Sequence, residues 1–87
     1  MKNTNAAMTL DQKIEVLSSI LYEVDPLSIA YSEDEYDAFA DIALSEHSDK
    51  DLTAALNIAI GELISPRHKL SDEQAKQINE KFYSISQ

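Results

Sequence analysis

The side chains with chemistry to offer are carboxylates, and they crowd one stretch, DPLSIAYSEDEYDAFADIAL, residues 25–44. Asp25, Glu33, Asp34, Glu35, Asp37 and Asp41 lie there with Tyr31 and Tyr36, and no Lys or Arg accompanies them. Carboxylates in such numbers can serve acid–base catalysis, cation binding or the docking of a basic partner, and each demands a different arrangement. Acid–base work needs one carboxyl group buried to raise its pKa, whereas these are expected on a solvent face. A calcium loop needs oxygens at fixed odd positions, a glycine at the sixth and a glutamate at the twelfth; no glycine lies between Asp25 and Glu46. A di-iron bundle needs Glu-x-x-His on two helices, and neither His47 nor His68 follows a glutamate by three. Cysteine is absent, which excludes a disulfide scaffold and zinc–thiolate chemistry. No Ser/His/Asp spacing or nucleophile elbow occurs. The residues therefore predict no catalytic group, no cofactor and no built metal site, and both histidines are expected in connections between helices.

The elements that position these groups are legible from periodicity. Four apolar stripes recur at helical spacing: Leu10, Ile14, Leu17, Leu21, Val24; Tyr36, Phe39, Ala40, Ala43; Leu52, Ala55, Leu56, Ala59, Leu63; and Ala75, Ile78, Phe82, Ile85. Thr9-Leu-Asp-Gln12, Ser32-Glu-Asp-Glu35 and Ser71-Asp-Glu-Gln74 match the capping box, and Ser48-Asp-Lys-Asp51 is a weaker version. Tyr31 is placed to staple onto Tyr36 across the second cap. Asp25-Pro26 and Ser65-Pro66 supply stops. The pattern predicts helices over about 10–24, 33–46, 49–64 and 72–85, after a flexible segment 1–8. The fold class is all-α: a compact antiparallel four-helix bundle-like single domain over 1–87, each helix packing on its sequence neighbours.

Charge narrows the function. Sixteen acidic residues face seven basic ones, for a net charge of −9, and hydrophobic residues make up 44%, enough for one modest core. No Lys or Arg occurs from Ile14 to Asp49, while the residues from Ile64 onward are nearly balanced. Such a field repels nucleic acid and anionic membrane and attracts basic proteins. Neither a signal peptide nor a membrane-spanning run is visible, and a cytoplasmic protein, monomeric when free, is expected. On a helical wheel Glu33, Asp34, Asp37 and Asp41 share an arc beside the apolar stripe. Like charges four apart weaken a helix by roughly 0.2–0.5 kcal/mol per pair, so an uncompensated arc points to a basic partner outside the chain. Asp25, Tyr31, Glu33, Asp34, Asp37, Asp41 and Glu46 are the candidate partner-binding residues, with Tyr31 as an aromatic anchor. Tyr36, at core spacing, is expected inside the bundle.

Two families share features with this chain. Acyl carrier proteins are also small, acidic and four-helical, but carry Asp-Ser-Leu at the start of their second helix; here Leu27 precedes Ser28, and Ile29 follows it. The run DP-L-x-I followed by DEYDxxAxI, which includes Asp25, Pro26, Asp34, Glu35, Tyr36 and Asp37, resembles a signature of small helical bacterial proteins. Some of these resemble immunity proteins encoded beside polymorphic or contact-dependent growth inhibition toxins. The resemblance implies a toxin inhibitor that binds one cognate toxin domain with a basic surface in a 1:1 heterodimer. The toxin would commonly be a nuclease, an RNase or tRNase ahead of a DNase, with its active site or substrate cleft occluded. An acidic adaptor that binds a basic host protein is the alternative.

Overall fold

The computed structural model describes residues 8–28 and 34–86. Four helical elements follow in order: α1 (Leu10–Val24), α2 (Asp37–Asp41, continuing as a π-helical turn over Ile42–Glu46), α3 (Leu52–Leu63) and α4 (Asp72–Ser86). No strand occurs among the described residues, and the architecture is an all-α, four-helix bundle-like globule.

The first helix begins and ends as expected. The Thr9 hydroxyl accepts from Gln12 N–H at 3.1 Å, and Gln12 Oε1 accepts from Thr9 N–H at 2.9 Å, so two donors at the helix start are satisfied reciprocally. At its end Asp25 adopts a left-handed conformation (φ 51°, ψ 56°), and its N–H donates to the Leu21 carbonyl. The last helix opens on the same device, Ser71 with Gln74.

The two middle helices depart from expectation. Instead of running from residue 33, the second helix starts at Asp37. Asp34–Tyr36 form a turn closed by Asp37 N–H on the Asp34 carbonyl, and Tyr36 occupies the cap position without a side-chain cap bond. Ser32, the expected cap, and the Tyr31 staple lie outside the described residues. Helix α3 starts at Leu52 rather than 49, because the Asp51 carboxylate, not the Ser48 hydroxyl, caps it by accepting from Ala54 N–H at 2.8 Å. Asp51→Ala should therefore cost about 0.5–2 kcal/mol in urea denaturation, while Ser48→Ala should stay within about 0.5 kcal/mol of wild type. The reverse order would mean that the cap is misplaced.

The second helix also changes hand-hold midway. The Ser45 hydroxyl donates to the Asp41 carbonyl, the acceptor that Ser45 N–H would use in an α-helix, and stands 2.9 Å from Asp41 Oδ1. A side chain inserted into the i→i−4 ladder in this way loosens it, and the chain takes a π turn over Ile42–Glu46.

Packing centres on α1. Leu17, Ile20 and Leu21 meet Tyr36 from the turn before α2, Phe39, Ala40 and Ala43 from α2 and its continuation, Leu52, Leu56, Ala59 and Ile60 from α3, and Ile78 and Phe82 from α4 in one core. The expectation of neighbour-on-neighbour packing holds for α1–α2 and α2–α3, but α4 lies mainly on α1 and only thinly on α3. The thin seam is reinforced by polar links: Asn79 Nδ2 donates to Thr53 Oγ1 at 2.8 Å, and Leu70 N–H donates to Asn57 Oδ1 at 2.9 Å. The expected stripes run out at their ends, where Leu10, Leu63 and Ile85 are exposed.

Candidate functional site: an acidic cleft between the first two helices

Helices α1 and α2 pack together through Leu17, Ile20, Leu21, Phe39 and Ala40, and beside this seam their outer faces form a shallow cleft of about 520 Å³. Its walls carry Asp11 and Glu15 from α1 and Asp37 and Asp41 from α2; Ile14 and Ala38 supply the apolar part of the lining. Each helix thus contributes two carboxylates one turn apart, because residues four apart stack on one face. Among the described residues no Lys or Arg lines the cleft. Among the described residues the ion pairs are His47–Glu62, Lys50–Asp49 and Lys81–Glu23, and none involves a cleft carboxylate. Within each helix the like-charged pair is destabilising by roughly 0.2–0.5 kcal/mol.

The two acids of α2 differ in how they are held. The buried Ser18 hydroxyl of α1 donates to Asp37 Oδ1, so Asp37 both lines the cleft and ties α1 to α2. Asp41 is exposed, and its only hydrogen-bonding neighbour described is Ser45 on its own helix. Asp11 sits in the first turn of α1, where its charge also opposes the positive end of the macrodipole. Glu15 is exposed one turn further on.

No protein-family model, curated protein or solved structure matches this chain. The cleft is therefore interpreted from its own residues.

Of the candidate partner-binding residues that the structure describes, Asp37 and Asp41 line this cleft. Asp34 is exposed in the preceding turn and uses its carbonyl to accept from Asp37 N–H. Asp25 is half-buried, and its Oδ1 accepts from the Tyr36 hydroxyl at 2.8 Å, which gives it a structural task in the connection after α1. Glu46 is exposed at the end of the π turn, grouped with His47 and Glu62 rather than with the cleft acids. Tyr31 and Glu33 lie outside the described residues. Tyr36 is buried in the core, as its spacing implies.

Asp11 and Glu15 are the site residues that sequence reasoning missed. Asp11 falls within the Thr9–Gln12 capping box, and Glu15 stands off the apolar stripe of the first helix. Their signal was the i, i+4 spacing on either side of Ile14, but it acquires meaning only once α1 is known to pack against the acidic face of α2. Ser28, where an acyl carrier would bear its prosthetic arm, lies in the connection after α1 with a left-handed backbone (φ 56°), well before α2 begins. His47 engages Glu62, and His68 is exposed in the α3–α4 connection.

Proposed function

We propose that this chain is an immunity protein that binds and neutralises a cognate toxin domain with a basic surface. The toxin is a nuclease, an RNase or tRNase ahead of a DNase, and inhibition is stoichiometric. The observation that carries the proposal is the cleft of Asp11, Glu15, Asp37 and Asp41, which no basic residue among those described lines. A nuclease presents Lys and Arg to hold phosphates, and a groove of carboxylates can occupy the same field. Two acids on each wall suit the forked donors of arginine, while Ile14 and Ala38 give the aliphatic stems of Arg or Lys an apolar seat. The complex acts by covering the active site or substrate cleft, with no turnover by this chain. No helix among the described residues is long and apolar enough to cross a membrane, which suits a partner met in solution.

The test is direct. Co-expression with the toxin domain encoded beside this gene should restore growth, and the purified pair should form a 1:1 complex in which nucleolytic activity is lost. A complex that leaves the nuclease active would move the function to that of an acidic adaptor. Absence of any complex would remove the immunity reading.

A further inference from the structure

Away from the acidic cleft, three ligating side chains converge where the π turn ends. Glu46 is the last residue of that turn, His47 follows it, and Glu62 projects from the last turn of α3. One ligand atom from each lies within 4.8 Å of the other two, and His47 Nε2 is 3.3 Å from Glu62 Oε2. Consecutive residues of a regular helix diverge and do not face a common point. Here the chain leaves the helix at His47 (φ −128°, ψ 36°), and that departure lets two neighbours in sequence reach the same carboxylate. The grouping escapes sequence inspection because neither Glu-x-x-His nor His-x-x-x-His spacing produces it.

Its geometry suits a particular ion. A tetrahedral Zn²⁺ with ligand bonds of about 2.0–2.2 Å has neighbouring ligand atoms about 3.3–3.6 Å apart. His47 Nε2 and Glu62 Oε2 stand at that edge length, and Glu46, an exposed side chain, brings a carboxylate oxygen within 4.8 Å of the other ligand atoms. One imidazole and two carboxylates form a mixed nitrogen and oxygen set without thiolate. Such a set is suited to a borderline divalent ion, whereas Ca²⁺ and Mg²⁺ prefer six or more oxygens. The two carboxylates also repel one another across the gap, and a divalent cation removes that repulsion.

We propose that Glu46, His47 and Glu62 form a binding site for one Zn²⁺, with the fourth position open to water. Occupancy adds a polar clamp between the end of the second helix and the end of α3, elements whose apolar faces already pack together, and it operates independently of the acidic cleft. The site is exposed, half-buried only at His47, so exchange with solvent is unimpeded.

Isothermal titration of the full chain with Zn²⁺ should give one ion per chain and a higher melting temperature in its presence. His47→Ala and Glu62→Gln should each weaken binding by about tenfold or more, while His68→Ala, which removes the other histidine, should leave it unchanged. Glu62 is exposed, so Glu62→Gln decides the matter if His47→Ala loses helical circular dichroism. Co²⁺ should give the intense visible band of a four-coordinate site in wild type and lose it in Glu62→Gln. Equal weakening by His47→Ala and His68→Ala, a stoichiometry other than one, or no saturable binding would overturn the proposal.

Discussion

Tyr36→Ala is expected to lower stability by about 4–8 kcal/mol in urea denaturation, the largest loss from any single truncation in this fold. The ring is 1% exposed and tilts against Phe39 with centroids 5.6 Å apart. Its hydroxyl donates to Asp25 Oδ1 at 2.8 Å and accepts from Leu27 N–H at 3.0 Å. Truncating a buried aromatic costs about 3–5 kcal/mol, and the orphaned Leu27 N–H adds about 1–3 kcal/mol. A chain of this length has a total stability of only about 4–13 kcal/mol, so losses that together reach about 4–8 kcal/mol remove from about a third to all of it. Tyr36→Phe separates them. It keeps the ring and should lose about 1–3 kcal/mol in urea denaturation, because the hydroxyl anchors the left-handed Asp25 and the turn after it. If Tyr36→Phe matches wild type within about 0.5 kcal/mol, the hydroxyl has no structural role and Asp25 returns as a candidate for docking.

The same residue explains why the second helix was the least legible. Local signals were strong: a capping box at Ser32–Glu35 and acids in the following turn predicted a helix from residue 33. The structure instead spends Asp34–Tyr36 on a turn, since Tyr36 must reach across to the end of α1 while Phe39 and Ala40 face the core. A tertiary contact of this kind has no periodic signature. Helices α1 and α4 were legible almost to the residue because their caps and stripes agree with each other. The π turn carried a local cue, Ser45 four residues after Asp41, but one serine in a helical pattern is usually silent. The acidic surface was half legible. Its presence and its placement on α2 follow from charge and spacing, but its second wall, Asp11 and Glu15, required knowledge of which face of α1 the second helix covers.

The geometry of that cleft also decides which charge reversal makes a clean test of docking. Asp37→Lys is compromised, because it removes the acceptor of the buried Ser18 hydroxyl and so disturbs the α1–α2 seam along with the field. Glu15→Lys with Asp41→Lys reverses one charge on each wall at exposed positions, and relieves like-charge repulsion along both helices. This double variant should keep its helical content and melting behaviour, yet associate with a basic toxin domain about tenfold or more slowly at low salt. The deficit should shrink as salt rises, because steering is screened over about 8–10 Å near physiological ionic strength; a residual, salt-insensitive loss in dissociation rate would mark carboxylates buried at the centre of the interface. The matching control is Lys76→Glu on α4. Lys81 is less suitable, since it pairs with Glu23 of α1 at 2.9 Å, although an exposed pair of this kind is worth little. Stopped-flow association at two salt concentrations, together with growth protection, reads both variants. If Lys76→Glu slows association and the cleft variant does not, the basic partner docks on the opposite side of the bundle, and the carboxylates between α1 and α2 are no more than a solvated surface.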